Sequence, residues 1–391
     1  MRRSPLLVIY LTVFVDLLGF GIILPILPYY AERFGATGVW VGVILTAYSA
    51  AQFVSAPILG RWSDRVGRRP VILLSLAGSA ISLVLTGLAG GLFVLIAARA
   101  LAGLFGGSIT TAQAYIADVT RPEERTKAMG LLGASIGMGF VLGPAIGAGL
   151  SGFGFATAAF VAAAIAAVNL AIGFRVLTES RQPGQTRARP AARSLSSLPL
   201  ALGQPAIGRI LIATFLGTFA FVSMEATFAL FGERRLGLNA SSLGLVFTVV
   251  GIVIALVQGG LLGRLNARFS SRALAVAGAV IMGISLMIIP FVPSLALAIV
   301  VLCVTAIGQG LLTPTLSSLL SLAAPENEQG TTLGLGQSLS AGARAIGPLV
   351  AGALFDLGIS LPYVVAGVLG LTVALVLRGL PSQRLPNLPQ R

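Results

Sequence analysis

Long apolar runs broken by short polar or charged turns divide the chain into twelve segments, each near the ~20 residues that cross a bilayer as a helix. They fall at 6–30, 39–59, 71–89, 92–117, 128–150, 155–174, 207–231, 242–262, 273–291, 295–320, 331–355 and 361–380. Some turns are very short, such as Gly90-Gly91 and Val292-Pro293-Ser294. The pattern predicts an all-α membrane protein with twelve transmembrane helices. Between the sixth and seventh segments, 182–204 is rich in Pro, Arg, Ser and Ala and has no apolar periodicity. It reads as a flexible cytoplasmic linker in preference to a lipid-binding or regulatory basic segment. The expected organisation is a six-helix half over 1–178, a linker over 179–205 and a second six-helix half over 206–391.

The halves look like copies. A shift of 203 residues places Gly60-Arg61 on Gly263-Arg264, Arg65 on Arg268, Arg69 on Arg272 and Pro122-Glu123 on Pro325-Glu326. A shift of 204 places Gly143-Pro144 on Gly347-Pro348. Duplicated halves imply a pseudo-twofold axis along the membrane normal and a cavity between them. The copies differ in their charges: Asp64 falls on Ala267, Gly67 on Ser270 and Arg99 on Leu302. The first half is therefore expected to keep the coupling machinery.

Composition agrees with a bilayer protein. Of 391 residues 56% are hydrophobic and only 10% charged, against about 25% charged in a soluble domain. The net charge of +14 is explained by topology and not by nucleic acid. With the N-terminus inside, 21 of the 26 Lys and Arg residues lie in inside segments. Arg33, Arg234 and Arg235 lie outside, and Arg99 and Arg344 within spans. That bias places both termini in the cytoplasm of a cell membrane protein. The first apolar run extends past Tyr30 and contains Asp16, which does not fit a cleaved signal peptide. With no histidine and one cysteine, Cys303, neither histidine-based catalysis nor an intrachain disulfide is open to it. The sequence has no phosphate-binding loop, catalytic triad or metal cluster. It is not read as an enzyme, and no cofactor or metal is expected.

Four places carry candidate chemistry. The turn Gly60–Pro70 packs four arginines and Asp64 into eleven residues, which marks a membrane surface. Gly60 and Gly67 let the chain turn and the flanking helices approach. In the first segment, D-L-L-G-F-G-I-I-L-P-I-L-P places Asp16 near the bilayer midplane. A carboxylate at that depth is costly and is a functional-site candidate by default. Arg99 in the fourth segment overlaps it in depth and needs an acceptor, for which Asp16 or backbone carbonyls are candidates. Burial and a neighbouring arginine act on a carboxylate's proton affinity in opposite directions. Proton coupling is therefore expected, with a permanent structural pair as the alternative. In the fifth segment Gly139, Gly143 and Gly147 make one flat ridge, and Pro144 favours a kink. The ridge is expected to pack against a helix of the other half.

These stretches carry a family resemblance. G-x-x-x-D-R-x-G-R-R resembles the loop between the second and third helices of the major facilitator superfamily. The arginine-bearing fourth helix and the G-x-x-x-G-P-x-x-G of the fifth resemble those of its twelve-helix drug:proton antiporters, tetracycline exporters included. The resemblance covers both halves and implies proton-driven export by alternating access. It implies a conformational gate made of Gly60, Asp64, Arg65, Gly67, Arg68, Arg69 and Asp118. Within it Asp64 and Arg68 match positions that pair with an acid at the end of helix 4, here Asp118. Asp64 is also expected to latch onto the N-terminus of the eleventh helix near Thr331. Gly143-Pro144 matches a motif associated with antiport. Tetracycline exporters carry an acid in their third helix, and here 71–89 holds none, which argues against a metal–tetracycline substrate.

In the second half, Glu225 and Arg344 differ in depth by roughly 8 Å at 1.5 Å per residue, a gap two long side chains can bridge. They are expected either to pair in the cavity or to meet water independently. Tyr48, Gln52, Gln113, Gln258, Gln309 and Gln337 lie within spans and either line the cavity or bridge helices. The expected partners are protons, a small amphipathic or hydrophobic substrate and the lipid bilayer, with no nucleic acid and a monomeric state. The function expected is a proton-coupled exporter. The alternatives are an organic-anion, sugar or lipid carrier of the same fold and a non-transporting receptor or scaffold.

Overall fold

The computed structural model describes residues 5–106, 108–120, 122–180, 198–324 and 329–380. All regular structure among them is helical. Eleven helices are long and apolar enough to cross a membrane, and Leu92–Leu104 is a shorter apolar helix. The chain is a multi-pass membrane protein.

The first helices are α1 (Pro5–Ile23), α2 (Leu27–Glu32), α3 (Gly38–Val66), α4 (Arg68–Gly87), α5 (Leu92–Leu104), α6 (Ser108–Val119), α7 (Pro122–Leu150) and α8 (Phe155–Val176). After α9 (Leu198–Gly203) come α10 (Pro205–Leu236), α11 (Ala240–Leu256), α12 (Leu262–Asn266), α13 (Ser271–Ile288), α14 (Leu295–Ala323), α15 (Gln329–Leu357) and α16 (Leu361–Arg378). Most of the sequence-predicted linker, and Pro325-Glu326 of the repeat comparison, lie outside the described residues.

Three predicted spans differ from single uninterrupted α-helices. The first breaks between Ile23 and Leu27, where Pro25 and Pro28 supply no backbone donor. Ile26 N–H instead donates to Ile23 O at 3.1 Å, a tighter turn. The fourth splits into α5 and α6 after Leu104, and α3 reaches over to serve the exposed carbonyls. Ser55 Oγ donates to Gly103 O at 3.0 Å and Gln52 Nε2 to Gly106 O at 3.0 Å. The eighth keeps its helical path through a π turn at Val257–Leu261 that separates α11 from α12 and holds Gln258.

Two compact units are present. The first comprises 1–187 with 229–251, the second 188–228 with 252–391. In the first unit the core gathers on α1 around Ile9, Val13, Ile72, Leu76, Tyr115 and Ile116. The ridge of α7 packs here on α1. A Cβ on Gly143 would lie 2.6 Å from Gly21 Cα, and one on Gly139 would lie 2.7 Å from Leu17 Cβ. The opposite side of Pro144 meets α11, where a Cβ on Gly244 would come within 2.6 Å of Pro144 O. The helix was expected to pack on one of the second half, and its Pro144 side does meet α11, but the three ridge glycines themselves face α1, at Leu17, Gly21 and Ile22. In the second unit α13 packs on α14 and α16, with Thr305 Oγ1 donating to Ser285 Oγ at 2.8 Å.

Candidate functional site

Asp16 sits one-third of the way from the end of α1 in an otherwise apolar helix. Its carboxylate is held by hydroxyls from two other helices. Ser79 Oγ of α4 donates to Oδ1 at 2.9 Å, and Ser108 Oγ at the start of α6 donates to Oδ2 at 2.5 Å. Ser108 is placed there by the α5/α6 break, which turns the first residue of α6 toward α1. Asn169 of α8, buried, donates from Nδ2 to Thr12 O at 3.0 Å one turn earlier and fixes α1 in register. Asp16 borders a cavity of 40 Å³ shared with Phe20, Tyr48, Gln52, Ser79 and Ser108. Water fits a polar space of that size.

Arg99 is buried on α5, and its Nη2 donates to Thr86 Oγ1 at 3.3 Å. Its Nε has no protein acceptor. Asp16, one of the acceptors open to Arg99 by sequence, is not the one it uses; Thr86 is. Both groups are held from α4, Asp16 through Ser79 and Arg99 through Thr86. Those anchors are seven residues apart, about 10 Å at 1.5 Å per residue. Similar depth in sequence terms did not bring them together, because α1 and α5 meet α4 at different heights.

The charged turn is built around Arg68. Its Nη2 lies 2.7 Å from Asp64 Oδ1, its Nε 3.0 Å from Asp118 Oδ2, and its Nη1 donates to Ser63 Oγ at 2.6 Å. Asp64 remains largely exposed, at 56% of its side-chain surface. Gly67 has φ +103°, a conformation that L side chains rarely adopt. Gly67 is also the N-cap of α4 and has no side chain to offer. Glu179, just past α8, supplies the cap from afar. Its carboxylate accepts from Arg68 N at 2.9 Å and Arg69 N at 3.1 Å. At the repeat-related position Ser270 caps α13 itself, accepting from Ala273 N at 3.2 Å. Arg69 donates to Phe174 O at 2.8 Å and lies over the Phe174 ring. Gly60 has open space around it, and Arg65 is the basic residue in the last turn of α3. The expected partner of Asp64, the N-terminus of the eleventh span near Thr331, lies at the start of α15 and belongs to the other compact unit.

In the second unit a cavity of 120 Å³ is lined by Thr218, Gln309, Gln337, Ser340 and Arg344 among others. Thr218 and Ser340 hydroxyls lie 3.3 Å apart across α10 and α15, and Gln309 Oε1 has no protein donor. Glu225 of α10 lies in the same unit, partly buried. Of the six polar residues singled out from sequence, Tyr48 and Gln52 border the first cavity, and Gln309 and Gln337 the second. Gln113 and Gln258 lie outside both. Gln52 also bridges helices, through Gly106 O and, at 3.3 Å, the Tyr48 hydroxyl.

A duplicated helical membrane protein with this charged turn, a buried acid in α1 and a glycine–proline ridge in α7 invites comparison with known families. The family model described as Major Facilitator Superfamily matches residues 9–341 and 236–391. The chain belongs to the Major Facilitator Superfamily. Within that superfamily it is similar to the tetracycline resistance protein, class C, of Escherichia coli, at 32% identity over 98% of this chain and 97% of the relative. It is similar also to multidrug resistance protein 2 of Bacillus subtilis, at 28% identity over 96% and 95%. Among solved structures it resembles the human organic anion transporter MFSD10, with a TM-score of 0.72 and 27% identity over 96% of this chain and 99% of that one.

Sequence singled out Asp16, Arg99 and Arg68, but not several of the residues that contact them. Ser79, Ser108, Thr86, Asn169 and Glu179 went unremarked. One signal was there to be read: Ser75, Ser79, Ser82 and Thr86 recur at helical spacing along α4.

Proposed function

We propose that the chain is a drug efflux transporter that exchanges protons for small amphipathic compounds by alternating access. It is a transporter and not an enzyme. The observation that carries the reading is near-full-length similarity to tetracycline and multidrug resistance proteins in a chain that holds a carboxylate inside a spanning helix. Asp16 is the proton carrier. In its ionised form it accepts both serine hydroxyls, and in its protonated form it can give one proton to the adjoining cavity. Arg99 is a fixed positive charge on the same α4 seam, about two turns away. It lowers the cost of the ionised carboxylate at a distance and does not neutralise it. Glu225 and Arg344 form the corresponding charged pair of the second half.

The turn around Arg68 is the conformational gate, with Asp64 as its exposed and releasable member and Asp118 and Glu179 as its fixed ones. The Gly139, Gly143, Pro144 and Gly147 ridge lets α7 lie close to α1 while bending at Pro144. The halves over 1–178 and 206–391 rock about the site as a monomer in the cell membrane, with both termini in the cytoplasm. The missing acid in α4 argues against tetracycline itself as the cargo.

The test is dye export in proteoliposomes with an imposed pH gradient. Wild type should concentrate dye against its gradient, and Asp16→Asn should bind dye but not concentrate it. Undiminished gradient-driven export by Asp16→Asn removes Asp16 from the mechanism. A second reading, export of organic anions, is favoured by Arg344 in the cavity wall of the second unit. Competition of an anionic and a cationic dye of equal size separates the two. Under the anion reading, Arg344→Gln loses only the anionic dye.

A further inference from the structure

The α5/α6 break does more than present Ser108 to Asp16: it brings helix ends and released carbonyls to the same cavity. A continuous helix would pair Gly106 N–H with the Ala102 carbonyl four residues back. Gly106 N–H instead donates to Gly103 O at 3.0 Å and passes over Ala102 O. Ala102 and Gly106 both border the Asp16 cavity. Ser79, Ser108, Tyr48 and Gln52 border it too, each with a side-chain oxygen. Gln52 uses its amide nitrogen on Gly106 O and the Tyr48 hydroxyl, which leaves its carbonyl oxygen to accept. Among the described residues that border the cavity none is an arginine or a lysine. Arg99, the buried charge of α5, is held at Thr86 instead. The two helix ends at the break carry opposite partial charges. The start of α6, at Ser108, favours the ionised carboxylate, and the end of α5 favours a cation beside it.

We propose that the Asp16 cavity is a sodium site, in which Na⁺ takes the place of the proton on Asp16. This rests on the reading of Asp16 as the carrier of the coupled ion and goes beyond it by naming a second ion. One carboxylate supplies one negative charge, which one monovalent cation neutralises. A divalent ion finds too little here: Ca²⁺ takes about six to eight oxygens, carboxylates prominent among them. No cluster of three metal-binding side chains occurs among the described residues. A space of 40 Å³ has little room for an ion's own water, so the protein must supply the oxygens. Carbonyls at the ends of broken helices do so in sodium-coupled carriers. The serine hydroxyls now donate to Asp16. Each oxygen keeps lone pairs that can turn to the ion. The titratable groups bordering the cavity are Asp16 of α1 and Tyr48 of α3, and of the two a carboxylate is the one that exchanges its proton for a cation. Na⁺ enters as the proton leaves through the cavity water, one charge for one.

The test measures equilibrium binding of radioactive sodium to the full chain in nanodiscs, with choline as the reference cation, from pH 5.5 to 8. Wild type should bind sodium saturably. Each unit of falling pH should weaken binding by up to about tenfold, as one-for-one competition with a proton requires. Ser108→Ala should bind about tenfold or more weakly, since even an outer-shell partner of a metal ligand is worth that much. Ser108→Thr, which keeps the hydroxyl, should restore binding, and Asp16→Asn should abolish it. Absence of saturable binding in the wild type overturns the sodium site. Binding that ignores pH, or that survives both Asp16→Asn and Ser108→Ala unchanged, overturns it too. Dye export by the same protein in proteoliposomes separates the two readings. A sodium gradient without a pH difference should concentrate dye. Proton-driven export that needs Asp16, in a wild type that binds no sodium, overturns the sodium site and leaves the proton carrier standing. Export that ignores Asp16, with sodium binding still lost in Asp16→Asn, overturns the carrier and leaves the ion site.

Discussion

Glu179 makes the most quantitative demand on the charged turn. Its carboxylate takes two N–H groups of the first turn of α4, which no side chain at Gly67 can satisfy. A hydrogen bond to a charged group contributes about 1.5–3 kcal/mol net when shielded. Glu179 is largely exposed, so about half of that is appropriate for each bond once water screens it. The favourable position at a helix N-terminus adds a few tenths of a kcal/mol. Water replaces part of what is lost, so Glu179→Ala should cost roughly 1–2 kcal/mol locally, or a factor of about 5–30 in the opening equilibrium. Arg69 keeps its bond to Phe174 O, so α8 should remain docked and the loss should stay in the turn. Hydrogen exchange of the segment 64–72 in nanodiscs measures this directly. Ser270→Ala, which removes the related cap of α13 at a cost of about 1 kcal/mol, is the internal comparison. Exchange at 64–72 within twofold of wild type in Glu179→Ala would refute the cap.

Further outcomes follow from the same geometry. Gly143→Ala places a Cβ 2.6 Å from Gly21 Cα and should lower stability by about 1–3 kcal/mol. Gly149→Ala, with nothing within 4 Å, should be tolerated in a thermal-shift assay. Ser79→Ala and Ser108→Ala each take a donor from the ionised Asp16. The pH profile of transport should therefore change in each variant, and an unmoved profile would exclude the hydroxyls from coupling. Asp16→Asn and Arg99→Gln should add in their effects on thermal stability to within about 0.5 kcal/mol, as separated sites do. A larger coupling would mean that the two charges pair directly. Glu225→Gln and Arg344→Gln should instead be non-additive, with the double variant recovering expression lost in either single one.

The twelve spans were readable because a bilayer forces ~20-residue apolar runs, and no local detail competes with that. Their breaks were less so. The first span reads as one run over 6–30 although Pro25 and Pro28 were there to signal its break, and the α5/α6 break shows itself only as glycines, which elsewhere in this chain sit inside unbroken helices. Asp16 and Arg99 stood out as charges in apolar surroundings. Their partners did not, because a serine in a helix rich in glycine and alanine costs little and says little. Ser79 and Thr86 become informative only as members of a stripe. Glu179 was hidden differently: it lies 111 positions from the Arg68 N–H it caps, in what reads as the start of a linker. Its one trace was the missing cap, glycine at 67 where the related turn has Ser270.

Seen from α4, the site has a simple logic. One helix carries a row of hydroxyls, and the row meets a carboxylate on α1 at Ser79 and a guanidinium on α5 at Thr86. A directly paired carboxylate would be held ionised at every pH of interest, since the guanidinium never gives up its proton. A carboxylate alone in hydrocarbon would be held neutral. Two hydroxyls are an intermediate solution. They accept as well as donate, so they can serve the acid in either protonation state by rotating, with little movement of the backbone. The arginine then acts through space from a fixed point, and any shift of α5 along α4 changes its distance to the acid. The α5/α6 break brings such a shift within reach, because it joins the helix that holds Arg99 to the one that presents Ser108. On the proposed reading, sliding of α5 would alter the field at Asp16 and its second hydroxyl together, which is the coupling of conformation to proton affinity that proton exchange requires.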